Sequence, residues 1–393
     1  MKRIKILFAV IIITINAQAK SFDEILHEIA ANNPILASSV AQNEAEVNTL
    51  KSENNLPDPA IDFEHKWGKE GRKWGVGVSQ SIEWPGVYST RNEAIKSASQ
   101  AIEFLNKANY LDKLVEVKLL LIDIINVRKQ LALVNQLDAQ MDSLTLKYQH
   151  GLKHGEVTKL DINKLKIEKI AISREIKSLN NQLEMLKASL INENGGNDIS
   201  LIISSLNNYP NEIILPEEKY EELLREFDPQ IAQYRSMAKT YELNAKVIKM
   251  SKHPGFSLGY KLENELGNYF NGFSIGISVP VFSQKHKSDV ISASQKALTL
   301  QNKAFEIERI AQLKAQRSNA IALYQEMEEY RPTLECHDNL TLLKKALDGG
   351  QISLITYIQE VNFFLEAQQN YLNVEYRYFQ ILATLNKYAL LDK

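Results

Sequence analysis

Residues 270–282 read FNGFSIGISVPVF, with apolar side chains at Phe273, Ile275, Ile277, Val279 and Val281. Small or polar groups stand between them, at Gly272, Ser274, Gly276 and Ser278. Alternation with period 2 predicts a strand with one apolar and one wet face. Three further stretches share the pattern. AIDFEHKW sets Ile61, Phe63, His65 and Trp67 against Asp62, Glu64 and Lys66, and WGVGVSQSIEW places Trp74, Val76, Val78, Ile82 and Trp84 on one side. FSLGYKLE sets Phe256, Leu258, Tyr260 and Leu262 against Ser257, Gly259, Lys261 and Glu263. Two hairpins are therefore predicted, at about 60–84 and 255–282.

The rest of the chain has helical spacing. Ser21 with Glu24 makes a capping-box signal, and Asn33-Pro34 and Asp228-Pro229 each offer an N-cap followed by proline at the first helical position. These helices run to about Lys51 and Met250. From about Tyr88 to Gln149 no proline or glycine interrupts the chain, and from about Ser283 to Lys344 only Pro332 does, where a kink or short break is expected. The first of these helices is on the order of 90 Å long at roughly 1.5 Å per residue. After turns at Gly151 to Gly155 and at Gly349-Gly350 a long helix returns. Leu165, Ile172, Ile176, Leu179, Leu183, Leu186 and Leu190 step through the first return by 3, 4 or 7, which is coiled-coil spacing.

The order of elements occurs twice. Pro34 recurs as Pro229, Pro59 as Pro254, Pro85 as Pro280 and Gly155 as Gly350, each 195 apart (229 − 34 = 195), and Ser97-Ala98-Ser99-Gln100 returns as Ser292-Ala293-Ser294-Gln295 at the same offset. The chain reads as two copies of one unit, 20–193 and 218–393, joined by a connector at 194–217 in which NEIILPEE suggests a short extended piece. Residues 1–19 combine Lys2, Arg3 and Lys5, an apolar run from Ile6 to Ile15 and Ala17-Gln18-Ala19. That is the layout of a secretory signal peptide, and it places the protein outside the cytoplasm.

Composition narrows the picture. With 46 basic and 48 acidic residues the 393-residue chain lacks the basic field that nucleic acid requires, and its mean hydropathy of -0.27 rules out a bundle of membrane-spanning helices. Its one cysteine, Cys336, has no partner for an intrachain disulfide and reads as a half-buried free thiol, so stability must come from packing or assembly.

Strands of about ten residues have the length that crosses a bilayer when tilted, but an open sheet leaves unpaired backbone groups in hydrocarbon at several kcal/mol each. Closure takes about eight strands or more. Two chains would make a filled barrel and three a water-filled one. Charges at Asp62, Glu64, Lys66, Lys261 and Glu263 suit water. The expectation is that Ile61, Phe63, Val76, Val78, Phe256, Leu258, Phe273, Ile275, Ile277 and Val279 face lipid, while Asp62, Glu64, Lys261, Glu263, Ser274 and Ser278 face a lumen. Trp67, Trp74 and Trp84 near the hairpin ends fit bilayer interfaces. The competing reading is a soluble periplasmic coiled-coil scaffold or adaptor with its sheet packed on helices.

Asn33-Pro34 after a short helix, Leu56-Pro57 before the first strand, SQSIEWPGVYSTR at 79–91, Tyr148 with Gly151 and Gly155, and the duplication itself together resemble the TolC-like outer-membrane efflux proteins. The likeness spans about Lys20 to Leu391. It implies a mainly α fold with a small β part: a homotrimer forming a 12-stranded β-barrel continued by a long α-helical barrel. It also implies an outer-membrane exit duct, working with a periplasmic adaptor (a membrane fusion protein) and an inner-membrane transporter of the RND type. SQSIEWPGVYSTR looks most like the heavy-metal cation branch. By the same resemblance, Gly151, Lys153, Gly155, Gly349 and Gly350 mark an adaptor-docking tip, and Thr356, Gln359 and Glu360 mark a pore constriction. Thr356 and Gln359 stand where well-known members carry aspartates, which puts a carboxylate ring there in doubt.

No nucleophile elbow, zinc-protease, phosphate-loop or CxxC motif is present, so neither catalysis nor a cofactor is expected. His150 and His154 have the spacing of two ligands on one helix face, but Gly151 is expected to break the helix between them, so the expectation is a solvated tip loop and no metal site.

Overall fold

The structure is a computed structural model, which describes residues 21–69, 71–282, 285–335 and 339–391. The proposed signal peptide and Cys336 lie outside the described residues.

Helices α1 (Phe22–Asn32) and α2 (Pro34–Ser52) lead into β1 (Ala60–Gly68) and β2 (Gly71–Ile82), and then into α3 (Val87–Lys153) and α4 (Lys159–Glu193). A six-residue helix, α5 (Ser200–Ser205), interrupts the connector. The order then repeats as α6 (Glu217–Phe227), α7 (Pro229–Met250), β3 (Gly255–Glu265), β4 (Asn268–Ser278), α8 (Lys287–Glu335), α9 (Asn339–Asp348) and α10 (Leu354–Leu385), with a final 3-10 turn at Lys387–Leu390. Starts recur at the sequence offset of 195: 22 and 217, 34 and 229, 60 and 255, 159 and 354. At 67 residues α3 is about 100 Å long.

The same physical devices begin and end corresponding helices. Asn33 Oδ1 accepts from the N–H groups of Ile35 and Leu36, both at 3.0 Å, and Asp228 Oδ1 accepts from Gln230 and Ile231 at 2.8 and 3.2 Å. Each cap is tied to the far end of its own copy. The Asn33 amide donates to the Glu193 carboxylate at 2.7 Å, and the Tyr388 hydroxyl donates to Asp228 at 2.6 Å. Both links span 160 positions. The two devices close each copy on itself although the residues differ.

Two apolar clusters lie along the helices. The larger gathers Leu114, Leu121 and Ile125 of α3 with Leu26 of α1, Leu224 of α6, Leu323 of α8 and Leu382 of α10. The second follows α3 outward, where Leu137 and Leu144 meet Leu165, Ile172 and Leu179 of α4 and Tyr357 and Val361 of α10. The stepping positions of α4 thus form its packed face, with Ile176, Leu183 and Leu186 half-buried. Asp123 of α3 accepts from the Tyr376 hydroxyl at 2.8 Å and from the Gln380 amide at 3.3 Å, and burial pushes its carboxyl above the usual range.

The structure departs from expectation at four places. The final strand stops at Ser278, so Val279 and Val281 lie beyond it, because Pro280 has no N–H to give a ladder. Helix α8 continues through Pro332 to Glu335 and a new helix begins at Asn339. Gly151 is helical and buried in the last turn of α3, so it does not break the helix. The connector contains a helix, and it is pinned rather than merely extended. Buried Lys118 pairs with Glu212, and Arg128 donates to the carbonyls of Ile203 and Leu206.

Leu121→Ala, emptying a fully buried site on α3, is expected to destabilise the fold by about 2–5 kcal/mol. Glu103→Ala, which removes an exposed pair with Lys107 at 3.0 Å, should stay within about 0.5 kcal/mol. Thermal unfolding followed by circular dichroism compares the two.

Candidate functional site

The four strands form one antiparallel sheet in the order β1-β2-β3-β4, leaving β1 and β4 as its edges. Register sorts the side chains. Ile61 pairs with Val78 and Phe63 with Val76; Val76 then meets Leu262 and Val78 meets Tyr260. Across the second hairpin Phe256 pairs with Ile277, Leu258 with Ile275 and Tyr260 with Phe273. In antiparallel pairing directly opposed residues share a face, so these form a single apolar face. Among the described residues little covers it: Ile61, Phe63, Phe273 and Ile275 are each more than two-thirds exposed. Trp67 and Trp74 lie toward the turn end, and Trp84 stacks on His253 at the helix end with ring centres 4.8 Å apart.

The opposite face is mainly polar, with Phe270 of β4 opposite Glu263 as its aromatic exception. Asp62 pairs with Gly77 and Glu64 with Gly75; those glycines oppose Lys261 and Glu263 of β3, and beyond β3 lie Ser274 and, nearer the helix end, Ser278. Glycine at 75 and 77 leaves a gap in the middle of the sheet. Lys261 reaches across it: its Nζ lies 3.1 Å from Glu64 on β1 and 2.7 Å from Glu263. A Cβ on Gly75 or Gly77 would sit 3.5 Å from the Lys261 stem. Lys73 adds contacts of 3.0 Å to Glu263 and 3.5 Å to Glu265, and Lys66 pairs with Glu64. The result is a three-strand ion lattice near the hairpin turns, giving way to glycine and serine toward the helices.

At the far end each helical hairpin turns through the same motif. The Glu156 N–H reaches the Gly151 carbonyl at 3.0 Å and the Gly155 N–H reaches Leu152 at 3.3 Å; in the second copy Gln351 reaches Ala346 at 2.8 Å and Gly350 reaches Leu347 at 3.1 Å. These are Schellman closures, which require the left-handed backbone found at Gly155 (φ 77°) and Gly350 (φ 69°). Lys153 ends α3, and Gly349 lies between α9 and Gly350. Lys147 of one tip meets Asp348 of the other at 2.6 Å.

The return helices then begin at N-caps Thr158 and Ser353. The Thr158 hydroxyl donates to Asp161 at 2.6 Å and holds that carboxyl below its usual range. Thr356 occupies the corresponding place in α10, its N–H 3.2 Å from Ser353 Oγ. Thr356, Gln359 and Glu360 share one side of α10 by their three- and four-residue spacing, while Leu354, Tyr357 and Val361 are buried. Phe363, 71% exposed, extends that open side.

No protein-family model matches the sequence, and no curated protein does. Solved structures do. The CmeC outer membrane channel of Campylobacter jejuni superposes with a TM-score of 0.74 at 13% identity, over 93% of this chain and 84% of that one. The Neisseria gonorrhoeae MtrE outer membrane channel, in its open state, gives 0.73 at 14%, over 94% and 88%. CusC, solved in a study of transmembrane channel formation, gives 0.72 at 12%, over 93% and 91%. This chain has the fold of these outer-membrane channels. It is the mainly helical TolC-like arrangement with a small antiparallel sheet that the sequence resemblance implies.

The ion lattice was not anticipated from strand alternation alone. Its signal is Gly75 and Gly77 two places apart, since glycine inside a strand often marks close approach from a neighbour. Space on this face is uneven. A Cβ on Gly259 would fall 2.9 Å from the Val78 carbonyl and 3.1 Å from Ser79 Cβ, whereas one on Gly272 meets nothing within 4 Å. Gly259→Ala is expected to lower the thermal stability of the sheet and Gly272→Ala to leave it unchanged, as compared by heat-dependent migration on detergent gels.

Proposed function

We propose that this chain is the outer-membrane component of a tripartite export system, a passive trimeric duct through which cargo leaves the cell. One observation carries the reading: a sheet with an exposed apolar face, a charged opposite face and two edge strands at its margins. At 9, 12, 11 and 11 residues the strands suit a tilted bilayer crossing. Edge groups cannot stay unpaired in lipid, so β4 of one copy pairs with β1 of the next. Three copies supply twelve strands, enough to hold water; two would supply eight, a barrel filled by its own side chains, which the ion lattice cannot be.

In this assembly Ile61, Phe63, Val76, Val78, Phe256, Leu258, Phe273, Ile275 and Ile277 face lipid. Asp62, Glu64, Lys261, Glu263, Ser274 and Ser278 face the lumen. The helices continue the duct into the periplasm. The tips at Gly151, Lys153, Gly155, Gly349 and Gly350 meet an adaptor bound to an inner-membrane transporter, and the Thr356, Gln359 and Glu360 side of α10 lines the narrowing. The likeness of SQSIEWPGVYSTR to the heavy-metal branch supports a cation transporter as partner. However, within it Glu83 and Arg91 form a two-pronged pair at 2.8 and 3.0 Å across the strand-to-helix junction, which accounts for both without reference to cargo.

Detergent extraction of the membrane fraction, followed by mass measurement, tests the duct: a trimer is expected, and full recovery of monomer in a periplasmic wash overturns it. Ile277→Arg places a charge in lipid at about 2–4 kcal/mol and is expected to block assembly, while Ser274→Arg, facing water, assembles normally. Equal behaviour of the two variants in the same extraction would refute the face assignment.

A further inference from the structure

We propose that His150 and His154, at the tip of the first helical hairpin, form a two-imidazole site for a borderline divalent metal ion such as Cu²⁺ or Zn²⁺. This does not rest on the channel reading. Because Gly151 is helical, α3 runs on to Lys153 and His154 caps it, so the two histidines stand four apart on one helical surface. Residues at that spacing are neighbours on a helix. Both are exposed, and their ring centres lie 4.6 Å apart with planes inclined at 47°.

That separation is compatible with a shared metal. A metal about 2.1 Å from an imidazole nitrogen lies about 3.2 Å from the ring centre, and two ligands at about 90–110° then have ring centres roughly 4.5–5.2 Å apart. The surroundings select the metal class. Lys147 and Lys153 are the flanking charges on α3, Lys147 is held 2.6 Å from Asp348, and the Glu156 carboxylate of the turn lies beside Gly151. Calcium and magnesium rely on oxygen ligands, whereas copper and zinc bind imidazole, so a pair of imidazoles favours the latter. Among the described residues no group of three or more His, Cys, Asp or Glu side chains could hold a metal, so the proposed site has two protein ligands.

Calorimetric titration of the full-length protein in detergent with CuCl₂, and separately with ZnCl₂, tests the site against His150→Ala, His154→Ala and the double variant. The expected result is one binding event per chain that the double variant lacks. Each single variant should weaken it about tenfold or more, since one imidazole cannot replace a chelating pair. Electron paramagnetic resonance of the copper form should show two equivalent imidazole nitrogens. If the wild type binds no more metal than the double variant, or each single variant keeps the wild-type affinity at half the stoichiometry, the shared site is overturned.

Discussion

Unsatisfied backbone hydrogen bonding at β1 and β4, beside an apolar face left exposed among the described residues, is the constraint on which the rest of the architecture turns. Helices close their hydrogen bonds internally; a four-stranded sheet cannot. The accessible surface of 25113 Å² against roughly 16,000 Å² for a compact chain of this mass belongs to the same account. Exposed apolar residues occur on the helical arms too, among them Ile167, Ile170 and Met185 on α4. Sheet and arms alike leave apolar surface exposed.

Duplication lets one solution serve twice, and the two copies show which features physics holds fixed. Asn33 and Asp228 differ, as do Glu193 and Tyr388, yet both pairs join a helix start to the end of the same copy. The hydrogen bond is retained while its chemistry changes. The connector is where the copies stop corresponding, and there buried Lys118 and the Arg128 fork hold backbone that has no ladder of its own.

Much of this was legible in the sequence because it rests on local periodicity. Alternation gave the two faces of the sheet, proline and its preceding cap residue gave the helix starts, and the offset of 195 gave the second half from the first. What was missed depends on contacts between distant segments. Lys261 crossing to Glu64 requires knowing that β2 lies between β1 and β3. The ordered connector requires Lys118 and Arg128, whose contacts no local pattern betrays. Gly151 misled because glycine disfavours helix on average, whereas here the turn packs on it: a Cβ would already lie 3.5 Å from Val157. Thr356 lies in the first turn of α10, and on the same side the aromatic Phe363 emerges only from its exposure.

Both hairpin ends are finished structures. The closing turns satisfy the last carbonyls of α3 and α9, and Thr158 and Ser353 satisfy the first amides of the helices that follow. Little backbone freedom is left to lose there. A protein that meets these ends encounters a shape already set, so its affinity is not eroded by the entropy of ordering a loop, and its specificity can come from contour as much as from charge.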